Sequence, residues 1–267
     1  MRIIRFLSDD GRVCRGAAGP GEPVKARPIE GDLFGEYSVS DTEITVARLL
    51  PPLEPPNIYA LGLNYRRHAE ETGIPCPGIP LVFIKATTSV IGPGEAIVLP
   101  AAGPGEVDYE GELALVIGRA AKNVPEERAM EHVFGFTCAN DVSARDWQNR
   151  LQMKQWARGK SFDTFCPIGP WIVTADEIPD PGNLRITTHI NGAAFQDSST
   201  ADMIFNVPRI VSDLSRSITL LPGTLILTGT PEGVGFTRRP PVFLKAGDLV
   251  EVAVEGIGTL SNLVVNE

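Results

Sequence analysis

The run Val107-Asp108-Tyr109-Glu110-Gly111-Glu112-Leu113-Ala114-Leu115-Val116-Ile117 constrains this chain more than any other segment. Its second half is a continuous aliphatic stretch closed by Gly118, which reads as a buried strand. Side chains of a strand alternate between faces, so Glu110 and Glu112 share one face. Two carboxylates side by side next to a hydrophobic strand repel each other and lose hydration. A divalent cation satisfies both at once, and oxygen-only ligation favours a hard ion, Mg²⁺ first, then Mn²⁺ or Ca²⁺. The alternative is an exposed edge strand carrying two acids without a ligand.

A third acid extends the pattern. Phe134 to Asn140 reads as a second apolar strand, with Asp141 at its end. Asp141 to Gln148 then reads as a turn entering a helix over Ala144 to Gln155, with Asp141 or Ser143 as N-cap. Arg145 and Gln148 fall on the same side of that helix. A guanidinium and an amide near an acid-rich strand suit a carboxylated ligand. A further cue follows the strand-like run Asn57 to Leu63. Asn64 to Gly73 reads as a helix, and His68 and Glu71 share one of its faces. A histidine oriented by a carboxylate is the usual general base near neutral pH, although ordinary surface helices carry such pairs too.

Six blocks in this order resemble the fumarylacetoacetate hydrolase superfamily, in its short branch of acylpyruvate hydrolases and 2-hydroxyhepta-2,4-diene-1,7-dioate isomerases. They are Leu61 to Tyr65 with His68 and Glu71, Phe83-Ile84-Lys85, Tyr109 to Leu113, Asn140 to Asp146, Gly159 to Pro167, and Leu227 to Gly235. The resemblance covers about residues 55 to 265. It implies an α+β, β-rich fold, a mixed β-sandwich roll, working as a homodimer on a small-molecule 2-oxo acid. In that site Glu110, Glu112 and Asp141 hold Mg²⁺ or Mn²⁺. His68, oriented by Glu71, activates a water, and Lys160 stabilises an enolate. Lys85, Arg145, Gln148 and Thr230 position the substrate carboxylate. The reaction expected first is hydrolysis of a C–C bond in an acylpyruvate-like compound. Tautomerisation or isomerisation, decarboxylation, and hydrolysis of a diketo deoxy sugar acid use the same enolate chemistry. A 2-oxo acid binding protein is the non-enzymatic alternative, and it has no use for a positioned base.

The bottom-up reading of the remaining segments agrees. Short apolar runs dominate, from Ala96–Leu99 to Leu249–Val254, and they do not alternate regularly with helices. That pattern favours a β-rich α+β domain over a doubly wound sheet. Helices are expected over Glu126 to Val133 and Asn206 to Ser217 as well. Residues 1–52 read as a small N-terminal β domain with turns at Asp9-Asp10-Gly11 and over Gly19 to Pro23. The proline-rich stretch Pro51 to Pro56 joins it to a catalytic domain at 53–267. Lys160 follows Gly159 in a loop, and Lys85 either holds a substrate carboxylate or caps the acids. Thr228 to Gly235 is Gly-rich but lacks the Gly-Lys-Ser/Thr of a phosphate loop. It reads as a turn whose amides and Thr230 hydroxyl hold a carboxylate, or as a simple strand connection. Tyr65, Trp147, His132 and His189 read as structural.

Composition excludes other classes. A net charge of −9 argues against a nucleic-acid partner. Cys14, Cys76, Cys138 and Cys166 are widely spaced, which excludes a zinc ribbon and suits reduced thiols in a cytoplasmic protein. The apolar run Met1 to Phe6 is too short for a signal peptide, and no stretch is long enough for a membrane span.

Overall fold

The strand Gly111–Ile117 lies inside a 12-stranded sheet, between Val133–Asn140 and Leu225–Leu227. Its two faces pack on two different cores, which is why its sequence is continuously apolar instead of alternating. Leu113, Leu115 and Ile117 join the core that holds Phe136, Ile210 and Leu214. Ala114 and Val116 join the opposite core with Ile168, Ile172 and Leu227. The edge-strand alternative for Glu110 and Glu112 is thereby overturned. The computed structural model describes residues 1–19, 21, 23–102 and 105–267.

Along the main sheet the strands run Val13–Ala18, Lys25–Gly31, Ile44–Leu50, Arg2–Ser8, Cys166–Thr174, Val133–Asn140, Gly111–Ile117, Leu225–Leu227, Ile58–Gly62 and Leu81–Lys85. A five-stranded sheet, Ala193–Ser199, Arg185–Ile190, Leu249–Val254, Gly258–Asn266 and Ile97–Leu99, packs against it. The chain adopts the expected strand-dominated α+β sandwich. Helix Val207–Ser217 covers one face with the stripe Val207, Ile210, Val211 and Leu214. Asn206 caps it, its side chain accepting from Arg209 N at 2.9 Å.

The N-terminal strands share the main sheet. Arg2–Ser8 pairs with Cys166–Thr174, Arg2 opposite Val173 and Ile3 opposite Ile172. The Asp9-Asp10-Gly11 turn forms as expected, with Gly11 at φ 82°. The break over Gly19 to Pro23 includes Pro20 and Glu22, which lie outside the described residues. A division into folding units at residue 52 stands as a proposal, with one antiparallel ladder joining the two parts. Among the described residues no helix is long and apolar enough to cross a membrane.

Two helices differ from expectation. Glu126–His132 is 3₁₀. The continuous helix expected over Ala144 to Gln155 does not form. Ser143–Ala144 pairs as a short ribbon with Val107–Asp108. A π-helical turn then spans Trp147–Leu151, and an α-helical turn spans Trp156–Gly159. Met153 and Lys154 are left-handed, at φ 51° and 64°, and no helix passes through two such residues. Asp146, not Asp141 or Ser143, caps the turn by accepting from Trp147 N at 2.9 Å. The Asp141 carboxylate is drawn elsewhere by two ammonium groups, which bind it more strongly than a neutral amide.

Candidate active site

Ligand oxygens of Glu110, Glu112 and Asp141 all lie within 4.8 Å of one another, and all three residues are buried. The backbone explains the spacing. Gly111 pairs with Asn140 on one side of the strand. On the other side no strand among the described residues reaches it. The Gln196 side chain accepts from Gly111 N at 2.9 Å, and Thr230 Oγ1 donates to Gly111 O at 3.0 Å. A Cβ at Gly111 would collide with Thr188 Oγ1, so only glycine fits between the two acids.

Three buried cations interlock with these acids. Lys160 Nζ lies 2.6 Å from Glu110 Oε2, 2.6 Å from Asp141 Oδ2 and 2.7 Å from Ser143 Oγ. All three ammonium hydrogens are thus engaged, which leaves Lys160 its charge and no free hydrogen to offer a ligand. Lys85 Nζ donates to Asp141 Oδ1 at 2.6 Å and to the Lys160 carbonyl. It is 1% exposed and sits beneath the acids, not on the pocket wall. In this arrangement it caps the Asp141 carboxylate. Arg145 Nε donates to Asp108 Oδ2 at 2.8 Å and Nη1 to Gln148 Oε1 at 2.9 Å. Its Nη2 is 2.7 Å from Glu110 Oε1, an ion pair without good hydrogen-bond alignment. The guanidinium also stacks 4.4 Å over the Phe236 ring.

The electrostatics follow. Burial opposes ionisation of Glu110, but Lys160 and Arg145 outweigh it and bring its carboxyl down to about 2. Glu112 is pushed well up, first by burial and then by Asp141 and Glu110. Its Oε2 accepts from Gly229 N at 2.6 Å, whereas Oε1 is buried with no partner. Burial lowers the Lys160 ammonium, yet Asp141 and Glu110 carry it above its ordinary value. Asp108, Glu110, Glu112 and Asp141 face Lys85, Arg145 and Lys160, so four buried carboxylates meet three buried cations. An orphaned carboxyl oxygen in an all-oxygen set, on the group that burial and its acidic neighbours hold back from ionising, fits a hard divalent ion whose charge would favour the ionised form.

The dyad forms as read from the sequence. Helix Arg66–Thr72 carries His68, whose Nδ1 lies 2.7 Å from Glu71 Oε1. With a carboxylate as partner Nδ1 carries the proton, leaving Nε2 as the basic atom. Glu71 Oε2 accepts from Gly233 N at 3.0 Å and Thr237 Oγ1 at 3.1 Å.

His68, Glu110, Arg145, Gln148, Lys160 and Thr230 line one pocket of about 140 Å³, walled by Leu61, Leu63, Trp156 and Phe236. A wider depression of about 650 Å³ lies over Trp171, Arg185 and the turn Val254 to Thr259, away from the acids. The Gly-rich turn departs from expectation. The amides of Gly229, Gly233 and Gly235 hold Glu112, Glu71 and Asp108, so protein carboxylates occupy them. Only Thr230 of that segment reaches the pocket.

Sequence reasoning missed Asp108, Ser143, Gln196 and Phe236. Asp108 was visible as a third acid beside the Glu-Gly-Glu pair, and Ser143 only as a cap. Nothing local marks Gln196, which arrives from the second sheet.

The profile described as Fumarylacetoacetate (FAA) hydrolase C-terminal matches residues 57–265. The Oxaloacetate tautomerase fahd2, mitochondrial, of Xenopus laevis is 48% identical over 220 residues, 82% of this chain and 69% of that protein. The human Oxaloacetate tautomerase FAHD2A, mitochondrial, is 47% identical over 82% of this chain and 70% of its own. Among solved structures, 5-carboxymethyl-2-hydroxymuconate delta-isomerase from Mycobacterium smegmatis superposes with TM-score 0.88 at 42% identity, covering 100% of both chains. The 2-hydroxyhepta-2,4-diene-1,7-dioate isomerase from Mycobacterium marinum gives 0.86 at 41%, covering 100% of this chain and 99% of that one.

Proposed function

We propose, from the premise that the chain belongs to the fumarylacetoacetate hydrolase family, that it moves a proton between carbon and oxygen of a small 2-oxo dicarboxylic acid, with oxaloacetate as the first candidate. The observation that carries this reading is the single pocket in which His68 faces the Glu110 side of a buried acid cluster. A divalent ion held by Glu110, Glu112 and Asp141, Mg²⁺ or Mn²⁺, supplies Lewis-acid polarisation and positive charge when bound.

The chain's own groups do the rest. Arg145 and Gln148 receive a carboxylate: Gln148 Oε1 is fixed by Arg145, which leaves its Nε2 free to donate. Glu71 keeps the His68 Nδ1 proton in place. His68 Nε2 removes a proton from the carbon next to the 2-oxo group. The C–H pair becomes the C=C bond, and the carbonyl pair moves to oxygen. The Lys160 charge favours that developing negative oxygen. His68 Nε2 then returns its proton, to oxygen for the enol or to a distant carbon for an isomerised diene.

Hydrolysis of a C–C bond, the reaction expected first from sequence, takes second place. It needs a water between His68 and the carbonyl, and the relatives are named for tautomerisation and isomerisation. The dyad serves both. The deciding experiment follows enol absorbance of oxaloacetate and of an acylpyruvate in parallel, with Mg²⁺ or Mn²⁺. Accelerated interconversion of oxaloacetate is the expected result. Cleavage of the acylpyruvate with oxaloacetate left at its spontaneous rate would reverse the order. The homodimer implied by the resemblance is retained as a proposal, checked by light scattering. It is supported by the sheet-edge strand Leu81–Lys85, whose Leu81, Val82 and Ile84 are exposed.

A further inference from the structure

The pocket's two ends are fastened to the same short turn. One end is the base. Glu71 contacts His68 with Oε1, and its Oε2 accepts from Gly233 N and Thr237 Oγ1. The other end is the cation that meets the substrate carboxylate. Arg145 is held by Asp108, which is 0% exposed. Asp108 Oδ1 accepts from Gly235 N at 2.8 Å, and Oδ2 from Phe236 N at 3.1 Å. The Phe236 ring lies against the same guanidinium.

The turn itself is pinned from outside the pocket. Tyr109 Oη donates to Gly233 O at 2.9 Å, and Arg238 Nη2 donates to Phe195 O at 2.6 Å and to Gly233 O at 3.2 Å. Val242 N donates to Gly235 O at 3.0 Å, where a Cβ on Gly235 would collide. Neither Asp108 nor Thr237 lines the pocket.

We infer that the turn Gly233–Thr237 is a positioning bracket: through Thr237 and Asp108 it sets the separation between the His68–Glu71 base and the Arg145 guanidinium. Asp108 and Thr237 are positioning residues, acting through Arg145 and Glu71. The inference rests on the proton-transfer reading for its kinetic consequence, but not for its geometry. Thr237 has one hydroxyl proton and two acceptors in reach, Val234 O at 2.9 Å and Glu71 Oε2 at 3.1 Å. The Gly233 amide and the Thr237 hydroxyl grip Glu71 together, and the hydroxyl is the contact that a substitution can remove.

The test uses the full chain with Mg²⁺. A base misplaced by a fraction of an ångström loses roughly tenfold in rate. Thr237→Val is expected to lower kcat for oxaloacetate about tenfold, with KM within about twofold, and Thr237→Ser to restore it. Asp108→Asn is expected to weaken oxalate binding, read by calorimetry, about tenfold or more, and to raise KM more than it lowers kcat. A second readout needs no turnover. The chain has 3 histidines, so the His68 Nδ1–H signal is assignable by nitrogen-15 NMR. It should be sharp in the parent and in Thr237→Ser, and broadened in Thr237→Val. If the parent turns over no oxaloacetate yet Thr237→Val broadens that signal, the bracket stands and the proposed reaction falls. A Thr237→Val protein with parental kcat and a parental His68 signal overturns the bracket. So does an Asp108→Asn protein that folds and binds oxalate as tightly as the parent. Thr237→Val decides alone if Asp108→Asn does not fold, because the Thr237 side chain is only partly buried.

Discussion

On the pocket floor, Glu110, Asp141 and Lys160 each meet two opposite charges and Lys85 one, and all four are nearly or fully buried. On the rim, between the π-helical turn and Trp156, Met153 is 94% exposed and Leu151 is 59% exposed. Met153 and Lys154 are left-handed there without a glycine, at about 1–2 kcal/mol each. The floor resists any single change because every charge has a partner that would be stranded. The rim has little burial to oppose change, so shape there can vary without disturbing the acids. In the proposed reaction the first region supplies the charges, and the second is where shape is free to differ.

The largest effect should come from taking a partner out of the floor. Asp141→Ala would leave two buried ammoniums facing an apolar methyl, costing about 3–5 kcal/mol. It should abolish metal binding and lower the denaturation midpoint together, which makes it a poor test of ligation alone. Glu112→Gln is cleaner. Glu112 touches no cation, and a glutamine carbonyl can still accept from Gly229 N. Calorimetry with Mg²⁺ and Mn²⁺ should show affinity down by roughly 10²-fold or more with the fold retained. Unchanged affinity would remove Glu112 from the ligand set.

His68→Ala should lower the proton-transfer rate by roughly 10²–10⁴-fold, the usual contribution of a positioned base. Metal affinity should stay within a fewfold, because His68 contacts Glu71 and none of the three acids. Parallel loss of metal binding would mean that floor and dyad are not separable.

Lys154→Gly on the rim should raise stability by up to about 1 kcal/mol in a denaturant titration, by relieving a left-handed lysine. Metal affinity should not move. A destabilised variant would show that the rim is held by more than its backbone geometry.

The smallest change is chemical. Burial pushes the Cys138 and Cys166 thiols up to about 12. A raised thiol pKa keeps the unreactive protonated form dominant at pH 8. A thiol reagent at pH 8 should label exposed Cys76 first, then Cys14, and reach the other two only on unfolding. Early labelling of Cys166 would place the floor within reach of solvent.

The acids were legible because strand parity alone puts Glu110 and Glu112 on one face. His68 and Glu71 were legible because helix spacing is equally local. Fold class followed from the density of short apolar runs. Three things were not. The helix over Ala144 to Gln155 was read from local pattern, whereas the Val107–Ala144 and Asp108–Ser143 pairing and two left-handed residues decide it. Lys85 had two readings because its partners, Asp141 and the Lys160 carbonyl, come from distant segments. Gln196 belongs to the second sheet and substitutes for a missing strand beside Gly111, a role only the assembled sandwich creates.

The pairing of Arg2 with Val173 and Ile3 with Ile172 has a kinetic consequence. Arg2–Ser8 can form its hairpin with Val13–Ala18 early, since that contact is local. On its other edge Ile44–Leu50 pairs with Arg5 to Ser8, but Arg2 and Ile3 have no partner until Cys166–Thr174 has been made. During synthesis the Arg2–Ile3 end of that edge therefore stays open after its neighbours have paired, and an open edge can associate with other chains. Docking of that hairpin should be a late step, slow because a long loop must close first.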